Sequence, residues 1–278
     1  VDSTYVAYKV RGLGLRPLAV HLDNGWDSAL AVTNIERTLA KLGIDLYTVV
    51  LDWEEFKDLQ LAFLKASTPD SEIPTDHAIC AVLAQTALKH KVKYVISGSN
   101  IVSEAIMPAA WSQGIRDWKY LKAVHDRFGT VPLKTFPHFT LTDFMVTRTV
   151  RGQRWIDLLN HLPYNRADAV RTLQTELGWV DYGGKHHESV YTRFFQSCIL
   201  PEKYGVDKRR GHLSTLICSG QLTRDEALTA LEAPICAPAQ LKSDREFVLK
   251  KLGLTEEQFA EIMSRPAKSI ADYPAYEN

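Results

Sequence analysis

Pro17-Leu-Ala-Val-His-Leu22 runs directly into Asp23-Asn24-Gly25, and this junction decides how the chain is read. A short, nearly all-apolar run closed by a turn signal is the pattern of a parallel strand covered on both faces. It recurs at Asp45 to Leu51, with Asp52 at its end, and at Val92-Lys-Tyr-Val-Ile-Ser97, which ends in Gly98-Ser99-Asn100. Helical patterns separate these runs. One spans Ser3 to Leu15, one is capped by Ser28 and closes at Gly43, and one spans Glu54 to Ala66. A fourth starts at Thr75 or Asp76 and continues through His90. Strands alternating with helices of this length predict βαβ units, and hence an α/β fold with a parallel, doubly wound sheet.

From about Ile101 the pattern changes. Aromatics, prolines and histidines crowd Trp111 to His138, and helices resume near Leu141. Gly178 to Gly211 is dense in charge, glycine and aromatics and reads as a functional loop region. The tail reads as three short helices, with capping boxes at Thr223-x-x-Glu226, Ser243-x-x-Glu246 and Thr255-x-x-Gln258. The expected division is a nucleotide-binding α/β region over 1–105 and a mainly helical substrate or partner region over 106–278.

Composition narrows the function. The 278 residues carry 33 Lys+Arg against 33 Asp+Glu, so the net charge is zero. Broad nucleic-acid or anionic-membrane binding needs a basic excess and is not expected. Apolar runs are short, far below the ~18–20 residues that span a bilayer. Nothing at the start reads as a signal peptide. Four cysteines, Cys80, Cys198, Cys218 and Cys236, are too widely spaced for a disulfide framework or a CxxC metal pair. A cytoplasmic enzyme is expected.

Chemistry is expected at the carboxyl ends of the strands, where open α/β sheets bind ligands. Asp23-Asn24-Gly25, Asp52 and Gly98-Ser99-Asn100 all lie there. Asp2 and Ser3 stand in the first turn of a helix, a place for an ordinary cap or for a phosphate. Asp76 and His77 begin a helix facing the same edge, and capping explains Asp76 as well as a ligand role does. Lys185, Lys208, Arg209 and Arg210 form either a solvated charge run or a set of phosphate cations. Together with the strand ends they favour a nucleotide with Mg²⁺. His186 and His187 with the later cysteines match no zinc spacing. Cys80 reads as a small core residue, and the Trp111 to Trp118 aromatics read first as core, with sugar stacking the open alternative.

These residues resemble the PP-loop ATP pyrophosphatases, whose signature is Ser-Gly-Gly-x-Asp-Ser between the first strand and the first helix. Val1-Asp2-Ser3 matches its x-Asp-Ser end, so the chain is expected to begin inside that motif. Further stretches are similar to the N-acetyl sugar amidotransferases of bacterial O-antigen and lipopolysaccharide biosynthesis. They are His21-Leu-Asp-Asn-Gly-Trp26, Asp52-Trp-Glu-Glu-Phe56, Pro74-Thr-Asp-His-Ala78, Gly183-Gly-Lys-His-His-Glu-Ser189 and Asp207-Lys-Arg-Arg210. The resemblance implies an ATP and Mg²⁺ site built from Asp2, Ser3, His21, Asp23, Asn24, Asp52, Gly98, Ser99, Asn100, Lys185, Lys208, Arg209 and Arg210. In it Asp2 is the metal ligand, and Asp2, Lys185, Lys208 and Arg209 are catalytic. Asp76, His77, His186 and Glu188 are implied for a nucleotide-linked sugar.

The implied reaction replaces the oxygen of an acetamido group by nitrogen. The amide oxygen attacks the α-phosphorus of ATP, pyrophosphate leaves, ammonia adds to the adenylated imidate, and AMP departs. The protein must neutralise pyrophosphate charge, align the reactants and exclude water. No cysteine sits in a nucleophile-elbow context. The resemblance implies ammonia from a separate glutaminase subunit similar to that of histidine biosynthesis, with a cyclase-like partner as the ammonia channel. Two other readings are a PP-loop sulfur-transfer enzyme of the tRNA-thiolation type and a non-catalytic nucleotide-binding module.

Overall fold

A computed structural model describes residues 1–185 and 187–276. The first part alternates helix and strand: α1 (Asp2–Gly12), β1 (Leu18–Asp23), α2 (Ala29–Leu42), β2 (Asp45–Val50), α3 (Trp53–Ala66), α4 (Ile73–Lys89) and β3 (Tyr94–Ser97). There follow α5 (Ile101–Glu104), α6 (Trp118–Phe128), α7 (Leu141–Thr149), β4 (Arg154–Asp157) and α8 (Arg166–Thr172). The last part is helical: α9 (Val190–Phe194), α10 (Leu200–Tyr204), α11 (Lys208–Cys218), α12 (Arg224–Glu232), α13 (Pro238–Leu252) and α14 (Glu256–Ser264). Wider π turns extend α8 over Leu173–Leu177 and join α9 to α10 over Phe195–Ile199.

Local signals account for many of these boundaries. Ser28 caps α2 by accepting from the Ala31 amide at 3.2 Å, and Gly43 ends it in the left-handed region at φ 61°. Asp52 caps α3 through the Glu55 amide at 3.1 Å. The capping boxes at Thr223 and Thr255 form as expected. Ser243 caps nothing: Pro238 starts α13 earlier, and Ser243 lies inside it. Likewise α4 starts at Ile73 with Glu72 as its cap residue, so Thr75 and Asp76 sit within the first turns. Pro74 belongs in that opening turn because its missing N–H has no helical acceptor there. The first helix ends at Gly12, short of Leu15.

The fold is α/β, mostly helical, with small parallel sheets rather than one doubly wound sheet. β1 pairs β2 in parallel, with Leu18 opposite Asp45 and Asp23 opposite Val50. β3 pairs β4, with Tyr94 opposite Arg154 and Ser97 opposite Asp157. β4 is a strand the sequence reading did not mark, since Arg154-Trp-Ile-Asp157 is too short and polar to stand out. Among the described residues each strand is paired along one edge only.

Two apolar cores hold these layers. The larger joins Phe56, Leu59, Phe63 and Tyr120 to Tyr191, Phe194, Phe195, Val248 and Phe259. The smaller packs Tyr5, Val6 and Val10 of α1 on Leu159, Leu173 and Trp179. Each draws residues from both sides of position 105. The stretch from Gly178 to Gly211 is accordingly a packing element as well as a polar one, because its aromatics Tyr191, Phe194 and Phe195 are buried. Full burial of side chains this size stabilises by roughly 1.5–3 kcal/mol each.

Candidate functional site

A cleft of about 880 Å³ runs between β1 and β3, with α1 and α2 along one side and α4 along the other. Its body is apolar, lined by residues such as Val6, Val20, Leu39, Val82 and Ile96. Its polar mouth lies at the end of β1, where Asn24, Thr75, Asp76, Glu72, Glu188 and Lys208 come together.

The mouth is tied across the chain. Asn24 donates from Nδ2 to Thr75 Oγ1 at 3.1 Å, joining the end of β1 to the start of α4. The Asn24 Oδ1 accepts from the Trp26 amide at 3.1 Å, and Asp23 accepts from the Gly25 amide at 2.8 Å. Gly25 has φ 82° and lies against Trp53, so a side chain there would be both strained and crowded. Lys251 donates to the Gly25 carbonyl and stands 4.7 Å from the Trp53 ring centre. Thr192, one turn into α9, donates to Glu72. Beside it Ser71 and Tyr191 share a 2.7 Å hydrogen bond.

Electrostatics concentrate at the mouth. Burial, reinforced by Asp70 and Glu72, pushes the Asp76 carboxyl up to about 8, against the opposing pull of Lys208. Burial alone would lower the Lys208 ammonium. Asp70, Glu72 and Asp76 outweigh it and hold that ammonium above its ordinary value. A charged lysine thus faces a carboxyl that carries a proton over part of the neutral range, an arrangement suited to anion binding and proton transfer. His21 stands 2.9 Å from Asp27, whose hydrogen bond raises the imidazole pKa.

The structure distributes the sequence candidates unevenly. Ser3, His21, Asn24, Asp76, Glu188 and Lys208 line this cleft. Asp2 is in the first turn of α1 but receives the Tyr164 hydroxyl. Asp23 closes its own turn, and Asp52 caps α3 beside a second cleft, lined by Val50, Gln85 and His138. Gly98 abuts Ser3, while Ser99 donates its amide to Ser97 Oγ at 2.9 Å. Asn100 caps α5 through the Ser103 amide at 2.8 Å.

His77 does not reach the cleft. It is fully buried, bonded through Nδ1 to the Ile115 carbonyl at 2.8 Å and stacked on Phe139 with ring centres 4.6 Å apart. Burial takes its pKa down to about 4, so the ring is neutral. Lys185 pairs with Glu104 at 2.9 Å. Arg209 is engaged by Asp207 at 2.8 Å and by the Ala233 carbonyl at 2.7 Å, closing the C-terminal end of α12. Arg210 is exposed. His186 lies outside the described residues. Among the described residues no three His, Cys, Asp or Glu side chains converge as a preformed metal site.

Sequence reasoning missed Asp70, Glu72, Thr192 and Gln196. The acidic spacing 70, 72, 76 was the available signal, although nothing in it names Lys208 as their partner. Thr192 and Gln196 carry no local motif; the π turn that holds Gln196 is a departure from regular helix of a kind common at functional sites.

Residues 188–277 match a family model described as the C-terminal domain of WbpG-like LPS biosynthesis proteins. The match begins at Glu188 and includes Thr192, Gln196 and Lys208, all of which line the cleft. No curated protein matches the chain. Among the described residues no helix is long and apolar enough to cross a membrane.

Proposed function

We propose that the protein is an enzyme of lipopolysaccharide biosynthesis that uses ATP to convert an acetamido group of a nucleotide-linked sugar into an acetamidino group. The observation that carries this reading is the convergence of Lys208, Asp76, Glu72 and Asn24 at the strand-end mouth of one cleft. The WbpG-like match over the segment that supplies Lys208 gives it a lipopolysaccharide context.

In this reading Lys208 meets the phosphate oxygens and neutralises charge as pyrophosphate departs. Asn24 and Thr75 orient the substrate through side-chain hydrogen bonds. Asp76 accepts the proton lost by the incoming nitrogen when ammonia attacks the activated carbon, its raised pKa matching that task. Mg²⁺ bound with a nucleotide needs only one or two protein carboxylates. Glu72 offers one at the mouth, whereas Asp2 is directed to Tyr164. Bound Mg²⁺ would supply further charge neutralisation. The amide oxygen leaves in AMP, so acetamide, ATP and ammonia give acetamidine, AMP and pyrophosphate.

The test is to incubate the protein with ATP, Mg²⁺, ammonium and a nucleotide-linked acetamido sugar, and to follow the nucleotide and sugar products. AMP and pyrophosphate formed with the amidine support the reading. ADP with phosphate, or no sugar-dependent cleavage of ATP, would overturn it.

A further inference from the structure

Two backbone segments meet beside the cleft's mouth, and both are tied to one side of α13. Residues 26–28, which follow the Asp23-Asn24-Gly25 turn, form an antiparallel bridge with residues 188–190. Ser28 donates its amide to the Glu188 carbonyl at 2.9 Å, and Val190 donates to the Trp26 carbonyl at 2.9 Å. On α13, Gln240, Asp244, Phe247 and Lys251 recur at helical spacing, so they share one side of that helix.

The charges on that side end on the backbone of the mouth. Arg193 of α9 grips Asp244 twice, from Nε to Oδ2 at 2.6 Å and from Nη2 to Oδ1 at 2.8 Å. Gln240 donates to the same carboxylate at 2.8 Å. Arg193 then donates from Nη1 to the carbonyl of His187, the residue before Glu188, at 3.2 Å. Further along α13, the Lys251 ammonium donates to the carbonyl of Gly25, the residue after Asn24. It stands 4.9 Å from the ring centre of Trp26 and 4.7 Å from that of Trp53. Asn24 and Glu188 line the cleft, whereas Asp244, Arg193 and Lys251 are not among its lining residues. Each charge of α13 thus fixes a carbonyl next to a mouth residue without meeting a ligand itself.

Asp244 is only 2% exposed. A buried ion pair adds little net stability over apolar packing of the same shape, because desolvation offsets the attraction. What the pair supplies is fixed geometry, since a planar guanidinium fork holds both partners in one orientation. We propose that α13 positions the mouth. Asp244, acting through Arg193, fixes the 187–190 strap and with it Glu188, while Lys251 fixes the turn and with it Asn24. The proposal rests on the reaction described above in one respect, that Asn24 orients the substrate.

Three variants of the 278-residue chain test it. Lys251→Met keeps an unbranched stem beside the Trp rings and loses the charged donor, whereas Lys251→Arg keeps both donor and charge. Arg193→Lys keeps a charge beside Asp244 but loses the fork that also reaches His187. Amide hydrogen exchange at Gly25 and Trp26 should quicken by about tenfold or more in Lys251→Met, and at Ser28 and Val190 in Arg193→Lys, with α3 unchanged. Lys251→Arg should exchange like the parent. With ATP, Mg²⁺, ammonium and a nucleotide-linked acetamido sugar, kcat should fall by about tenfold or more in Lys251→Met and Arg193→Lys and stay near the parent value in Lys251→Arg. Exchange that quickens equally in α3, or nowhere, would overturn the proposal, as would local loosening with kcat unchanged. A Lys251→Arg variant as loose as Lys251→Met would also overturn it. Should Arg193→Lys fail to fold, the two Lys251 variants decide. A parent without sugar-dependent cleavage of ATP would remove the proposed reaction, and the exchange rates alone would then decide whether α13 holds the mouth.

Discussion

Gly98 closes directly on Ser3: a Cβ on Gly98 would stand 2.6 Å from the Ser3 backbone nitrogen. This approach sets the first turn of α1 against the end of β3 and gives the cleft one of its fixed corners. Gly98→Ala should therefore cost about 1–3 kcal/mol, because the obstacle is backbone and not the end of a flexible side chain. Denaturant melting checks it, and an unchanged midpoint would show that α1 yields freely.

The proton on Asp76 makes stability depend on pH in a stated direction. Its folded pKa, about 8, lies above the ordinary carboxyl value of 3.8. The folded state thus holds a proton that the unfolded chain gives up, and stability is lost as pH rises between those values. Asp76→Asn should flatten this loss, with its advantage over the parent larger near pH ~8.5 than near pH ~5. Melting temperatures at the two pH values decide it. Parallel curves for parent and variant would refute it.

His77 acts at the acid end with the opposite sign. Its folded pKa, about 4, lies below the ordinary 6.5, so the unfolded chain takes up a proton first and stability falls as pH drops through that window. The full difference amounts to at most about 3 kcal/mol. Following the imidazole signals of the folded protein by NMR should show His77 still neutral near pH ~5.5. Titration near the ordinary histidine value would contradict the burial seen here.

Two adjacent cations should separate. Lys208→Ala should lower amidine formation by about 10²-fold or more with the fold retained, because its ammonium faces the cleft. Arg209→Ala should instead cost about 1–2 kcal/mol of stability through the freed α12 carbonyls and Asp207, with turnover of the folded enzyme close to normal. Measuring kcat and unfolding midpoints on both variants tests the pair. Equal losses of turnover would place Arg209 in the reaction as well.

Nitrogen supply follows from the proposed chemistry. Of the four cysteines, Cys198 is buried and pushed up to about 12 by desolvation, and Cys80 is also raised, neither suited to a glutaminase thiolate. Ammonium alone should support turnover, and glutamine only with a glutaminase subunit present. Efficient use of glutamine by the isolated protein would disprove this.

Much of the fold was legible locally. Ser28 and Gly43 bracket α2 because a hydroxyl before a helix and a glycine after it satisfy orphan backbone groups within a few residues. Thr223 and Thr255 do the same for α12 and α14. The exceptions are also physical. Pro74 moved the start of α4 ahead of Thr75, and Pro238 enclosed Ser243 in a helix already under way. Of the site, Asn24, Asp76 and Lys208 stood out as residue types, whereas Asp70, Glu72 and Thr192 did not.

What the sequence determined by itself is therefore what neighbours along the chain decide: the apolar runs that become β1, β2 and β3, the caps, and the polar residues at strand ends. Tertiary structure alone decided which of those polar residues share a space. It set Asp76 beside Lys208, sent His77 into the core and spent Arg209 on the end of α12. It also left β1 and β3 facing each other across a slot rather than bonded. The reason is that capping and periodicity act within a turn or two of helix, while desolvation, charge coupling and strand pairing depend on distances that only the packed chain creates.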